Sequence, residues 1–114
     1  MVARRAPSLA VHARLSAPLM KLGRIVGTVV ASRKDASLDS LKLLIVVNLS
    51  TTLEREGGYV VAVDSVGAGV GEVILYATGS SARQTTVTKD RPVDAVIMAI
   101  VDSFDIEGRS TRLA

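Results

Sequence analysis

The sequence predicts an all-β protein: a five-stranded barrel with one short helical turn between its fourth and fifth strands. Hydrophobic residues make up 48% of the chain and aromatic residues only 3%, so the core must be built from Val, Ile, Leu and Ala, which favours strands. From Met20 onward, short apolar runs alternate with clusters of Gly, Pro, Asp and Ser, as strands alternate with turns. The 114 residues leave room for one domain with one modest core.

Five strands are predicted, at 21–32, 41–48, 59–65, 72–78 and 95–104. Five short strands suit a barrel. Residues 80–85 predict one helical turn, at whose start Ser80 or Ser81 accepts a hydrogen bond from a free amide. The remaining connections, 35–40, 49–58 and 86–91, are predicted to be exposed loops, and the residues past Glu107 a frayed tail.

The chain divides into a basic N-terminal arm at 1–19, a barrel domain at 20–106 and a tail at 107–114. The arm contains three arginines, two prolines and no acidic residue, and it buries too little apolar surface to hold itself in place. An unordered extension is favoured over a docking or cargo-tethering segment. A signal peptide fits poorly because His12 and Arg14 interrupt its apolar centre.

Apolar residues occupy both faces of several predicted strands. In the fifth strand one face carries Ala95, Ile97, Ala99 and Val101, and the other carries Val96, Met98 and Ile100. A small barrel has a single interior, so the outward set needs another surface to cover it. Each such side chain contributes about 1.5 to 3 kcal/mol when buried, so a few per subunit can hold an oligomer together.

The charge of the chain is concentrated in the arm. The formal net charge is +3, from 14 Lys and Arg against 11 Asp and Glu, but Arg4, Arg5 and Arg14 precede Met20. The rest of the chain is therefore formally neutral and lacks the basic stripe that neutralises phosphates, so no nucleic-acid partner is predicted.

The cellular location is predicted from two features that the sequence does not contain, cysteine and a long apolar run. The chain has no cysteine, which is compatible with a reducing cytosol, and no apolar run reaches the roughly 18 residues of a spanning helix. We therefore expect a soluble, cytoplasmic protein with no membrane partner.

One turn is dense in glycine. Gly67, Gly69 and Gly71 fall short of a dinucleotide fingerprint, because Glu72 stands where the last glycine is needed and a strand follows instead of a helix. A structural turn at a subunit contact is the better interpretation. The residues assigned to this subunit-interface turn are Gly67, Ala68, Gly69, Gly71 and Glu72.

The segment Gly79-Ser80-Ser81-Ala82-Arg83 has anion-binding potential, because two hydroxyls and a guanidinium stand at a predicted helix start. Plain capping is the simpler explanation. If copies of this turn converged on a symmetry axis, they would ring a narrow pore with hydroxyls and amides. The predicted pore residues are Gly79, Ser80, Ser81 and Arg83.

No catalytic site is predicted. His12 is the only histidine and lies in the arm, so a histidine metal site or a catalytic triad lacks its parts. The carboxylates at strand ends suit turn bonding: Asp64, Asp94, Asp102 and Asp105. We expect no enzyme activity, no cofactor and no metal.

Four collinear segments carry a resemblance: M-K-L-G-R-I-V-G-T-V-V-A-S-R-K at 20–34, K-L-L-I-V-V at 42–47, V-D-S-V-G-A-G-V-G-E-V-I-L-Y-A-T-G-S-S-A-R at 63–83, and P-V-D-A-V-I-M-A-I-V-D at 92–102. With them the chain resembles the EutN/CcmL family, the pentameric vertex proteins (BMC-P) of bacterial microcompartment shells. The resemblance implies an OB-like barrel, a homopentamer, and a structural role at the corners of a carboxysome-like polyhedral shell in the cytoplasm.

The resemblance also implies hexameric and pseudo-hexameric shell proteins as partners. The exposed loops 35–40 and 49–58 are the candidate contacts with these tiles. The alternative is an OB-like binding module for single-stranded nucleic acid or a small anionic ligand. Such a module needs aromatic residues and a basic groove, whereas the chain offers only Tyr59, Tyr76 and Phe104.

Overall fold

The structure, a computed structural model, describes residues 20–113. Seven strands are present: β1 Met20–Val29, β2 Leu43–Leu49, β3 Arg55–Asp64, β4 Val73–Thr78, β5 Ala95–Ile100, β6 Ser103–Ile106 and β7 Arg109–Arg112. Two 3-10 turns, Ala36–Leu38 and Gly79–Arg83, lie in the connections. The predicted arm at 1–19 lies outside the described residues.

Strands β1 to β5 close into a barrel in the order β1-β2-β3-β5-β4, which confirms the predicted five-stranded barrel. All neighbours are antiparallel except β3 and β5, which pair in parallel through Val63 with Val96 and Asp64 with Ile97. Residues 55–62 of β3 pair with β2 alone. Within the described residues, that half of β3 therefore has a free backbone edge.

The predicted fifth strand, 95–104, is wrong in length. β5 ends at Ile100, and β6 begins at Ser103 in a separate two-stranded sheet with β7. The frayed tail predicted past Glu107 is also wrong, because Arg109–Arg112 pairs with β6 along its whole length. Glu107 and Gly108 both have positive φ, 50° and 81°, as a two-residue hairpin turn requires.

The loop predicted at 49–58 is mostly strand. Only residues 50–54 form the turn, and β3 begins at Arg55. Val47 pairs with Tyr59 whereas the next residue, Asn48, pairs with Glu56, so Gly57 and Gly58 form a bulge in the ladder. Gly57 has φ +75°, which a side chain would disfavour. The glycine pair thus bends a strand instead of ending one.

The main core fills the barrel. It consists of side chains from every barrel strand and one residue of the β3–β4 connection: Ile25, Leu44, Val46, Ala62, Ala68, Ile74, Tyr76, Ala95 and Ile97. Gly23 allows close packing beside Tyr76, because a Cβ there would lie 2.9 Å from Tyr76 Cε1 and 2.7 Å from Val46 Cγ1. The Tyr76 hydroxyl donates a hydrogen bond to Asn48 Oδ1 (2.9 Å).

A second, smaller core lies on the outside of the barrel. Ala82 of the second 3-10 turn packs with Val63, Ala77 and Val96, and Leu43, Val93 and Met98 lie against this cluster. Part of the outward apolar set is therefore covered by the chain itself. The expectation that a partner covers every outward apolar side chain is therefore too broad. Tyr59, Val61 and Ile100 are among the apolar side chains that stay exposed in the single subunit.

Candidate subunit-interface and pore turns

The Gly-dense turn between β3 and β4 is organised by one buried carboxylate. Asp64, the last residue of β3, accepts hydrogen bonds at Oδ1 from the amides of Val66 (3.0 Å), Gly67 (3.1 Å) and Ala68 (3.2 Å). Its Oδ2 accepts from the Ala68 amide as well (3.1 Å). A carboxylate can satisfy several amides that curl around it, so this side chain sets the path of the backbone.

Lys42, the residue just before β2, completes this arrangement. Its Nζ lies 3.6 Å from Asp64 Oδ2 and donates a hydrogen bond to the Ala68 carbonyl (3.0 Å). The buried carboxylate thus has a cation beside it, and the turn is tied to a third strand as well as to the two that it connects.

The far end of the turn is fixed against β1. The Gly71 amide donates to the Ile25 carbonyl (2.8 Å), and the Ile25 amide donates to the Glu72 carbonyl (3.0 Å). Arg24 Nη1 donates to the Gly71 carbonyl (2.9 Å), and the Gly69 amide donates to Glu72 Oε1 (2.6 Å). Glu72 therefore has a structural role in the turn, which sequence reasoning assigned to the glycines.

The turn presents apolar side chains to solvent. Val70 is 60% exposed and Val66 is also exposed, while Ala68 between them is buried in the barrel core. Gly67 and Gly71 have φ of +77° and +95° with nothing within 4 Å of an added Cβ, so conformation, not space, selects glycine. The five residues predicted for this turn lie together; their subunit contact stays a prediction.

The outer face of β3 is a second exposed apolar surface. Tyr59 is 68% exposed, and Val61, two residues along on the same face, is also exposed. Their partners in β2 are Val47 and Ile45. Tyr76 is buried and Phe104 lies in the hairpin, so among residues 20–113 Tyr59 is the one exposed aromatic residue of the barrel. A row of stacking aromatics, as a nucleic-acid platform needs, does not form there.

The predicted helical turn at 80–85 is a 3-10 turn at Gly79–Arg83, and the predicted cap is wrong. Thr78 is at the cap position and makes no side-chain cap hydrogen bond. Ser81 Oγ instead donates to the Thr78 carbonyl (2.6 Å), because in so short a turn that carbonyl lies within its reach. Gly79 has φ +68° and donates its amide to the Asp94 carbonyl (2.9 Å).

Two polar groups of the predicted anion site, the Ser81 hydroxyl and the Arg83 guanidinium, donate hydrogen bonds to backbone carbonyls. Arg83 Nη1 donates to the Val93 carbonyl (3.0 Å), and Ser81 is engaged as described, which leaves Ser80 as the exposed hydroxyl. These contacts fasten the turn to the end of β4 and to the segment just before β5. Within one subunit the four predicted pore residues are brought together, and their convergence at a symmetry axis stays a prediction.

Thr88 is a supporting residue that sequence reasoning missed. It is fully buried, and its Oγ1 donates to the Ala82 carbonyl (2.6 Å) and bonds the Thr85 hydroxyl (2.7 Å). Thr85 and Thr88 thereby hold the connection 84–91 against the second core. No pattern in a Thr-rich loop distinguishes the buried threonine from its exposed neighbours.

The first 3-10 turn forms a compact exposed loop. Asp35 Oδ1 accepts from the Ser37 amide (2.9 Å) and hydroxyl (2.7 Å), and these hydrogen bonds lower the pKa of Asp35. Arg91 Nη1 donates to the carbonyls of Ser37 (3.0 Å) and Asp39 (2.9 Å), which ties this loop to the connection before β5.

Within residues 20–113 the four carboxylates named from the sequence either hold the Gly-dense turn or face solvent. Asp64 is occupied by the turn, and the others proposed at strand ends, Asp94, Asp102 and Asp105, are exposed. Across residues 20–113 no group of three or more potential metal ligands occurs. That same part of the chain contains no helix of the length and apolarity needed to cross a bilayer. His12 lies outside the described residues.

The β6–β7 hairpin stands beside the turn that joins β2 to β3. Phe104 and Ile106 lie on one of its faces, with Thr111 and Arg109 as their cross-strand partners. Between this face and Thr51 and Thr52 there is an open groove of about 340 Å³.

Comparison with known proteins finds one family along the barrel. The model of the family described as "Ethanolamine utilisation protein EutN/carboxysome" matches residues 20–102. The microcompartment shell vertex protein GrpN of Rhodospirillum rubrum is 44% identical over 86 residues, which are 75% of this chain and 97% of GrpN. The carboxysome shell vertex protein CcmL of Synechococcus elongatus is 42% identical over 91 residues, 80% of this chain and 92% of CcmL.

Solved structures agree with the sequence matches. CcmL of Nostoc sp. PCC 7120 superposes with a TM-score of 0.75 at 41% identity, over 79% of this chain and 95% of that one. The pentameric microcompartment shell protein GrpN superposes with a TM-score of 0.68 at 42% identity, over 75% of this chain and 99% of GrpN.

Proposed function

This chain belongs to the EutN/CcmL family, and we propose that it is a structural protein whose homopentamer caps the vertices of a polyhedral bacterial microcompartment shell. The observation that carries the proposal is the family match along the whole barrel, residues 20–102, together with relatives named as shell vertex proteins. A fivefold unit supplies the corner that a flat hexagonal layer needs in order to close. The protein acts inside the cell, as part of the shell.

The subunit has surfaces suited to a closed ring. A ring with rotational symmetry uses head-to-tail contacts, so each copy needs two different patches that fit each other. Exposed apolar side chains are available for such contacts: Val66 and Val70 on the Gly-dense turn, and Tyr59 and Val61 on the outer face of β3. The turn is held by Asp64, Lys42 and Arg24, so its valines have fixed positions.

The Gly79–Arg83 turn is proposed to line the axis of the pentamer. Ser80 is exposed and would add a hydroxyl from each copy, while Ser81 and Arg83 brace the turn through the Thr78 and Val93 carbonyls. An opening formed in this way is polar and too narrow for most metabolites.

The rim of the pentamer is proposed to contact hexameric and pseudo-hexameric shell proteins. The loop at 35–40 is the better of the two candidates, because the Asp35 and Arg91 hydrogen bonds hold it in one shape. Of the predicted loop 49–58, only the turn at 50–54 remains free to make such contacts. The function is structural, with no catalytic role and no cofactor.

The test is closure of the shell. Hexagonal shell proteins of the same compartment are expressed with and without this chain, and the particles are imaged by electron microscopy. With the chain, we expect closed polyhedra that contain it at the corners; without it, open sheets, tubes or leaky particles. Shells that close equally well without the chain, or a purified chain that stays monomeric at micromolar concentration, would contradict the proposal.

A further inference from the structure

The groove beside the C-terminal hairpin has the character of a binding site for one amphipathic side chain. The hairpin face contributes the apolar side chains of Phe104 and Ile106 and, beside them, their cross-strand partners Thr111 and Arg109. Thr51 and Thr52 line the opposite side, and Glu107 and Ser110 complete the lining. Such a site favours an aromatic ring with a polar tip, because the ring covers the apolar wall and the tip meets hydroxyls.

The hairpin that forms this groove has little support from the rest of its own subunit. β6 and β7 pair only with each other within residues 20–113, and an isolated two-stranded hairpin is marginal in water. Ile106 is exposed in the single subunit. A further surface laid against the Phe104 face would bury it and stabilise the hairpin.

Tyr59 is the side chain of this chain that fits the groove. It is the one exposed aromatic of the barrel in the described residues, and it lies on the outer face of β3 beside Val61. Tyr59 is not among the residues that line the groove of its own subunit, so a contact between them requires a second copy. Groove and Tyr59 then serve as the two different, complementary patches of a head-to-tail contact.

We propose that the β6–β7 hairpin of one subunit receives Tyr59 of the neighbouring subunit in its groove, and that this contact helps to close the ring. The inference rests on the proposed homopentamer and names one interface of it. The hairpin begins at Ser103, one residue past the end of the family match at residue 102.

The first measurement is the concentration at which the pentamer dissociates, followed by sedimentation or native mass spectrometry. Tyr59→Ser is expected to raise that concentration by about tenfold or more, as loss of a buried aromatic anchor does. Tyr59→Phe keeps the ring and should stay within about threefold of the parent. Val30→Ser is the matched control, because Val30 is 92% exposed and lies outside the groove.

The second measurement is cross-linking, which does not depend on the strength of the contact. The chain has no cysteine, so two can be introduced freely. Gly58→Cys places a thiol at the residue before Tyr59, where an added Cβ meets nothing within 4 Å apart from its chain neighbours, and Thr111→Cys places one in the groove. A short bis-maleimide should give a ladder of linked subunits up to five. The pair Val30→Cys and Thr111→Cys should give none beyond chance collisions.

The outcomes separate this inference from the proposed function. A ladder with the first pair only, with weakened assembly in Tyr59→Ser, supports the contact. An intact pentamer that gives no ladder and tolerates Tyr59→Ser overturns the contact and leaves the pentamer in place. A parent protein that never forms a pentamer overturns the proposed function.

Discussion

Lys42 and Asp64 lie at the adjoining ends of β2 and β3, and together they hold the turn that leads into β4. Lys42 directly precedes β2, its carbonyl accepts a hydrogen bond from the Asp64 amide (2.9 Å), and its Nζ lies 3.6 Å from Asp64 Oδ2. Lys42 and Asp64 therefore contact each other twice, once through their backbones and once through their side chains. The shape of the Gly-dense turn therefore depends on this pair as well as on its glycines.

Removal of the Asp64 carboxylate should therefore loosen the turn. Asp64→Ala leaves the amides of Val66, Gly67 and Ala68 without their acceptor, and we expect a loss of about 1 to 3 kcal/mol in the free energy of unfolding, measured with urea at fixed protein concentration. Asp64→Asn keeps one acceptor oxygen and should lose less. Equal losses in the two variants would show that the amide contacts are not what matters.

Gly23 should tolerate no side chain. A Cβ there meets Val46 Cγ1 at 2.7 Å and the Val47 carbonyl oxygen at 3.0 Å, so Gly23→Ala is expected to cost about 1 to 3 kcal/mol in unfolding free energy. Gly58→Ala is the matched control: it has nothing within 4 Å and should change stability by no more than about 0.5 kcal/mol. Similar thermal midpoints for both variants would contradict the close approach of β1 to its neighbours.

Tyr76 should give the protein a dependence on alkaline pH. Burial raises the pKa of Tyr76 above its ordinary value of 10.0. A raised folded-state pKa adds stability that is complete below the unfolded-state value, so the unfolding free energy should fall as pH rises from 10.0 through the folded-state pKa. Tyr76→Phe should lack this part of the decline.

The same substitution has a cost at neutral pH. Without the hydroxyl, Asn48 Oδ1 loses its donor, and Tyr76→Phe should be less stable by about 0.5 to 1.5 kcal/mol. Urea titrations of both proteins on either side of pH 10 provide the measurement. If the difference in unfolding free energy between the parent and Tyr76→Phe stays constant through the alkaline range, ionisation of Tyr76 makes no contribution.

The valines of the Gly-dense turn should matter for assembly and not for folding. Val70→Glu places a charge on the proposed subunit contact and is expected to raise the dissociation concentration of the pentamer by about tenfold or more. The unfolding midpoint of the monomer should hardly move, because Val70 is exposed in the single subunit. Val30→Glu serves as the control. A pentamer equally stable in both variants would remove this turn from the interface.

The 79–83 turn should control the central opening. Ser80→Phe is expected to narrow or block the channel in a structure of the assembled pentamer, because Ser80 is the exposed hydroxyl of the turn, whereas Ser80→Ala should leave the opening in place. A channel of unchanged width in Ser80→Phe would place this turn away from the fivefold axis.

The barrel strands could be predicted from sequence because apolar runs and turn residues bound them clearly. The hairpin was missed, since the apolar-polar alternation at Ser103–Ile106 spans only four residues, and the Glu107-Gly108 turn was not recognised. The glycines of the 63–72 segment were recognisable, but their dependence on Asp64 and Lys42 was not, because Lys42 is distant in sequence.

The side-chain contacts of the Gly79–Arg83 turn also could not be predicted from the sequence. A serine at a helix start ordinarily accepts an amide hydrogen bond, whereas Ser81 donates to a carbonyl because a five-residue 3-10 turn has different geometry. The outward apolar residues were found correctly, yet the segment that covers many of them, around Ala82 and Val93, could only be identified in three dimensions.

The anchoring of the Gly-dense turn within one chain also bears on how subunits meet. Its hydrogen bonds to Asp64, Glu72 and β1 form during folding, so an approaching molecule encounters a preorganised loop. Little conformational entropy is then lost when two copies associate at this place. The rate of encounter would be limited by mutual orientation instead of by slow ordering of a flexible segment.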